Sequence, residues 1–407
     1  MWFQKVASMS NKALSEKTSS EESYWLLFWT FLKIGSTAFG GFMALISVVQ
    51  NYVVERKKLL TQDEVLDGIS LATILPGPVA VNVVAYVGYK IRGLKGALIC
   101  AFAVIFPSFL LLLALSYAYF TYGEIPAVSK VFSGFLPAVA AIIIAAAFNM
   151  GRKALTGSTE ILIAIASMLA LIFIDNFYTT FVVMLVSGGI GYLAFFRKED
   201  EPAEKTSVKN LLPKNLLILS SVSAIVVAAA VLKANALLLA KLFSTFATMS
   251  LLLFGGGFVF IPLIQEVVVG NYGWVTHKEF IDGIALGQVT PGPILISATF
   301  IGYKVAGVIG AAIATVGIFA PPAILMLVCT NFLDLLKNSN QIKAVLKGVR
   351  CAVIGLIAAA AYIVILSAEQ NYVTLMIFLL SLIGLLIIKL EVAWIIPVAG
   401  VIGYLMY

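Results

Sequence analysis

Charge is scarce in this chain. Asp, Glu, Lys and Arg make up 12% of its 407 residues, against 61% hydrophobic, and the mean hydropathy is +1.04. So little polar surface cannot clothe a water-soluble globule of this length, so the chain must be solvated by lipid. Histidine is represented only by His277, and the three cysteines, Cys100, Cys329 and Cys351, are isolated from one another. No metal site, disulfide framework or cofactor is implied. Missing too is the alternation of roughly ten-residue strands that a membrane barrel requires. Unbroken apolar blocks such as Ala140 to Ala147 suit helices instead, whose backbone groups satisfy one another inside lipid. Residues 1–23 lack the apolar stretch of a cleavable signal and read as a polar tail. Acidic residues are outnumbered 20 to 27 by basic ones, and the resulting +7 fits either anionic headgroups or an anionic cargo.

What the chain has in abundance is apolar length and repetition. A crossing needs about 20 apolar residues, and stretches such as Leu94 to Phe120 exceed that. Sliding the chain by 215 residues lays Phe39-Gly40-Gly41 on Phe254-Gly255-Gly256, Gln50 on Gln265, and Pro76-Gly77-Pro78 on Pro291-Gly292-Pro293. Thr61, Glu64, Asp67 and Gly68 fall on Thr276, Glu279, Asp282 and Gly283. One residue less, and Gly88-Tyr89-Lys90 meets Gly302-Tyr303-Lys304, Pro107 meets Pro321 and Gly134 meets Gly348. Polar residues and glycines carry the match, which low-complexity apolar sequence would not produce.

The expected fold is an all-α polytopic integral membrane protein with two homologous repeats, residues 24–196 and 236–407, joined by 197–235, a charged linker with one more apolar segment. Six crossings per repeat and one in the linker would make about 13 membrane segments and invert the second repeat relative to the first. The positive-inside rule favours this plan over parallel repeats with re-entrant Pro-Gly-Pro segments. With Lys33 left aside as intramembrane, inversion leaves seven of the other 26 basic residues outside: Arg56, Lys57, Lys58, Lys130, Lys233, Lys241 and Lys304. Lys278, Lys347 and Arg350 are among the cytoplasmic ones. The parallel plan splits them 15 against 11.

Thr61 to Glu64 and Thr276 to Glu279 have the capping-box form, so a helix is expected to start at each. From Gln62 to Leu75 such a helix is about 21 Å long, short of the hydrocarbon thickness. It ends inside the membrane at a Pro-Gly-Pro that removes two backbone donors. A break of this kind is either a kink relieved by neighbouring helices or an anion site formed by half-helix amide ends. Its recurrence in both halves favours a site.

Asp67 and Asp282, in the second turn of those half-helices, read either as solvated interfacial residues or as groups coupling a proton or cation. Lys33 either snorkels or supplies a counter-charge for a divalent anion. Gly40-Gly41 and Gly255-Gly256 permit close backbone approach, for packing or for a ligand. Asn82, Gln288, Thr290 and Ser297 put neutral hydrogen-bonding groups beside the breaks.

Together the residues resemble the chromate ion transporter family, in its long two-domain form. The resemblance rests on Phe-Leu-Lys-Ile-Gly-Ser-Thr-Ala-Phe-Gly-Gly at 31–41, Leu-Pro-Gly-Pro at 75–78, Phe-Gly-Gly-Gly at 254–257 and Gln-Val-Thr-Pro-Gly-Pro at 288–293. It covers nearly the whole chain after the tail. Carried over by position it implies substrate contacts at Lys33, Gly40, Gly41, Pro76, Gly77, Pro78, Gly255, Gly256, Gln288, Pro291, Gly292 and Pro293. Phe42 and Gly257 stand where the family often has proline, and Thr73 takes the place of Gln288 in the other half. The resemblance implies efflux of chromate, or movement of sulfate or another oxyanion, across the inner (plasma) membrane, driven by the proton-motive force. The partners implied are the oxyanion, protons and lipid, with a homodimer among the open assemblies and no nucleic acid. A membrane-embedded enzyme lacks clustered ligands or a nucleophile-base pair here, while a passive anion channel would share the broken helices.

Overall fold

The computed structural model describes residues 23–38, 42–123, 125–174, 179–196, 236–254, 260–330, 339–367 and 371–407. Gly40, Gly41, Gly255, Gly256, the amino-terminal tail up to residue 22 and the linker 197–235 lie outside them. The described residues form helices and no strand. They make a multi-pass membrane protein, with four helices long and apolar enough to span: Val79–Tyr122, Ala127–Arg152, Ile294–Cys329 and Asn340–Ile365.

In the first half, α1 (Tyr24–Thr37) is followed by α2 (Phe42–Gln50), which runs into a π-helical turn, Asn51–Arg56. The Thr30 hydroxyl meets Tyr52 OH at 3.1 Å. Those residues lie eleven positions on either side of Gly41, so the two segments fold back on each other. Helix α3 (Gln62–Ile74) starts at the expected capping box, with the Glu64 carboxylate accepting from Thr61 N at 2.8 Å and Glu64 N donating to the Thr61 hydroxyl. It stops at Leu75, one residue before the prolines, because proline forces its predecessor out of the helical region.

Helix α4 (Val79–Tyr122) is two arms: Arg92 and Gly93 leave helical geometry, Gly93 with φ +63°. Gly88 and Gly96 then touch backbone to backbone, although eight residues of straight helix would hold them about 12 Å apart. The chain therefore reverses at Gly93. The short arm also packs against α3: a Cβ on Gly68 would overlap the Tyr86 ring, and these residues lie nine positions on either side of Gly77. Here the structure departs from the expectation that the Pro-Gly-Pro helices cross. Each arm has about thirteen residues, roughly 20 Å, and the pair is a hairpin with Pro76-Gly77-Pro78 at its tip. Beyond it come α5 (Pro126–Ala154), α6 (Ser158–Phe173) and α7 (Thr179–Phe195).

The second half repeats this order: α8 (Ala236–Ser250), α9 (Phe260–Gln265) with the π-helical turn Glu266–Asn271, and α10 (His277–Val289) from its own capping box. A 3-10 turn, Ile294–Ile296, leads into α11 (Ser297–Cys329), which reverses at Ala306 and Gly307. It is followed by α12 (Asn340–Ser367), α13 (Tyr372–Ile383) and α14 (Val392–Met406).

The halves interlock through helices that run antiparallel. Ala97, early in the long arm of α4, clusters with Leu327 near the end of α11, while the ring of Phe120 at the far end of α4 lies 4.8 Å from that of Phe300, near the start of α11. Helix α5 lies against α14, with Gly134 at Ala399 and Lys130 at Gly403, and α12 lies against α7 in the same way through Gly348 and Ser187. The buried core is continuous across both halves, from Leu112 and Ile142 to Phe280 and Ile396.

Candidate functional site at the paired helix breaks

Two prolines around a glycine leave Gly77 as the sole backbone donor of its break, and Gly292 as that of the other. Each donor is used across the halves. Gly77 N–H donates to the carbonyl of Leu253 at 2.7 Å, and Gly292 N–H donates to the carbonyl of Ala38 at 3.1 Å. Leu253 and Ala38 are themselves 215 apart, each just before its Phe-Gly-Gly. Every tip thus closes on the chain leading into the opposite Phe-Gly-Gly, and a buried donor that would otherwise cost about 1–3 kcal/mol is satisfied.

Behind each tip stands the long arm of the other half. A Cβ on Gly77 would overlap the Pro322 ring, and one on Gly292 would lie 2.7 Å from the Ser108 hydroxyl, which donates to the Pro291 carbonyl. Both glycines have positive φ, +100° and +109°, a region that L side chains enter only under strain. Ser108 and Pro322 are also counterparts, one residue after the aligned Pro107 and Pro321.

The neutral groups expected beside the breaks are there. Asn82 is fully buried and its Nδ2 donates to the Pro76 carbonyl at 3.1 Å; its Oδ1 has no partner among the described residues. Ser297 holds the corresponding place in the second half and donates to Ile294 O at 2.9 Å, while Thr290 donates to Gly287 O at 2.8 Å. Gln288 keeps a buried Nε2 without a partner among the described residues. At both breaks the helix that follows begins without a side-chain cap, at Val79 and Ile294, so each break presents buried helix-start amides.

The two aspartates diverge. Asp282 is 1% exposed and accepts from Tyr119 OH at 2.7 Å and from Lys278 Nζ at 3.3 Å, with Oδ1 unpartnered among the described residues. Glu279 and Lys304 pair beside it at 2.8 Å. Asp67 is only half-buried. Tyr119, contributed by the opposite half, was not singled out from sequence, and neither was Ser108. Ser108 had a signal in its alignment beside Pro107; Tyr119 had none. Lys33 lies on an exposed face of α1 with no ion pair among the described residues, five positions before Ala38. The structure therefore brings Pro76 to Pro78, Asn82, Thr290 to Pro293 and Ser297 to the tips, and leaves Lys33 on an outer face.

No cluster of His, Cys, Asp or Glu able to hold a metal occurs among the described residues. The family model described as chromate transporter matches the chain twice, over residues 25–192 and 240–404. The chain belongs to the chromate transporter family. It is a long, two-domain member, a transporter and not an enzyme. An uncharacterized transporter of Methanocaldococcus jannaschii is 32% identical over 401 residues, covering 97% of this chain and 98% of that protein. A probable chromate transport protein of Synechococcus elongatus is 31% identical, over 88% of this chain and 87% of its own length. A chromate transport protein of Pseudomonas aeruginosa is also 31% identical, over 86% and 83%. No solved structure matches this family member.

Proposed function

We propose that this chain is a secondary transporter of a small divalent oxyanion, chromate before sulfate, moved outward across the inner membrane by the proton-motive force. The observation that carries the reading is the reciprocal closure of the two Pro-Gly-Pro tips through Gly77 and Gly292. It supports a single central site in which uncapped amide ends and neutral donors replace the hydration of an anion. Relatives named as chromate transport proteins, and the resemblance of the motifs, support chromate and efflux.

In this reading the repeats, residues 24–196 and 236–407, are inverted. The antiparallel course of α4 against α11 and of α5 against α14 supports that arrangement. We revise the expected six crossings per repeat to four crossings and two re-entrant hairpins. Both numbers are even, so a single linker crossing inverts the second repeat in either case. Asp282 is the coupling group of the pair: a buried carboxylate held by a tyrosine from the other repeat can change protonation as the repeats move.

The test is chromate accumulation in everted membrane vesicles with and without an imposed proton gradient, with sulfate as competitor. Gradient-dependent uptake in the wild type, lost in Asp282→Asn, is expected. Uptake unaffected by the gradient would replace the carrier with an anion channel.

A further inference from the structure

The positive-inside pattern puts Arg350 on the cytoplasmic side, and it lies ten residues inside α12, about 15 Å of helix past Asn340. Its Nη2 donates to the carbonyl of Thr73 at 3.1 Å, in the last turn of α3 and three residues before Pro76. A guanidinium is thereby fixed beside the first break. One turn earlier on α12, Lys347 pairs with Glu160 at 2.7 Å, whereas Arg350 has no carboxylate within pairing distance among the described residues. The Thr73 carbonyl is the one hydrogen-bond partner of the guanidinium among the described residues, which leaves its other donors for a ligand.

Capping the carbonyl end of α3 is the simplest role for such a residue. The repeat argues that capping is not required: the counterpart of Arg350 is Leu136, and α10 ends at the second break without a cation. At the counterpart of Thr73 stands Gln288, whose buried Nε2 is unpartnered among the described residues. Each break thus has a donor at this aligned position, the Gln288 side-chain amide in one half and, bound to the Thr73 carbonyl, the Arg350 guanidinium in the other.

We propose that Arg350 is the cation that binds the transported oxyanion, forking two N–H groups onto two of its oxygens while Thr73 holds the guanidinium in place. The inference rests on the oxyanion reading and takes over the role that sequence gave to Lys33.

The experiment measures equilibrium binding of radiolabelled sulfate and chromate to the purified full-length protein, with Arg350→Gln, Arg350→Lys and Lys33→Ala beside the wild type. The expected result is a Kd raised at least tenfold by Arg350→Gln, about threefold by Arg350→Lys, which keeps charge but cannot fork, and little changed by Lys33→Ala. Binding by the wild type with Arg350→Gln within twofold of it would overturn the inference and leave the transporter reading standing. No binding of either anion by folded wild type would overturn the oxyanion reading itself. Should Arg350→Gln not fold, arginine-selective modification of the wild type by phenylglyoxal serves instead. Sulfate or chromate, but not chloride, should protect Arg350 as read by peptide mass spectrometry, and equal modification with and without them would overturn the inference.

Discussion

The two break glycines look equivalent in sequence and differ in what surrounds them. A methyl at Gly77 meets the Pro322 ring, which cannot rotate away, whereas a methyl at Gly292 meets the Ser108 hydroxyl. Gly77→Ala should therefore add overpacking of about 1–3 kcal/mol to about 1 kcal/mol for the positive φ. Gly292→Ala should suffer mainly the second cost once Ser108 is removed. The expected outcome is that Ser108→Ala restores much of the melting temperature and transport of Gly292→Ala. Pro322→Ser should not rescue Gly77→Ala to the same degree, because the hydroxyl would stand where the ring did. Thermal melting in detergent and vesicle uptake read both. Equal rescue in the two halves would show that the backbone conformation, not the neighbour, sets the penalty.

At the scale of the helices, local chemistry was readable and distance was not. The capping boxes at Thr61 and Thr276 and the stops at Leu75 and Thr290 follow from side chains within a few residues of each other, so sequence placed them correctly. The reversal at Gly93 was not legible as a tight one: the basic stretch of Lys90, Arg92 and Lys95 marks an exit from the membrane, but only the contact of Gly88 with Gly96 shows the two arms of α4 touching. Nor could sequence place Arg350 or Tyr119 at the site, because their roles depend on which helix lies opposite. These origins predict different sensitivities. Thr61→Ala removes one cap and should cost about 1 kcal/mol, a shift of a few degrees in melting temperature with transport retained. Gly88→Val puts a branched side chain where the two arms of α4 touch, and should keep the short arm from folding back onto the long one. Size-exclusion profiles after detergent extraction would separate the cases; a monodisperse, active Gly88→Val protein would mean that the arms have room to part.

For the whole molecule, the reciprocal bonds from Gly77 to Leu253 and from Gly292 to Ala38 make each half depend on the other for closing its site. In the proposed inverted arrangement the loop before α3 and the loop before α10 lie on opposite membrane faces. Lys58 and Gly273 mark those loops: they are 215 apart, exposed, and share positive φ, +52° and +57°. Cys100, Cys329 and Cys351 are buried or half-buried and can be replaced to clear the background. In such a protein, Lys58→Cys and Gly273→Cys should react oppositely with a membrane-impermeant maleimide. One should label in intact cells and the other only in everted vesicles. Labelling of both from one side would mean parallel halves. The pairing of Ala97 with Leu327 and of Phe120 with Phe300 could not then survive in the membrane, because a parallel arrangement brings the starts of α4 and α11 together instead of start to end.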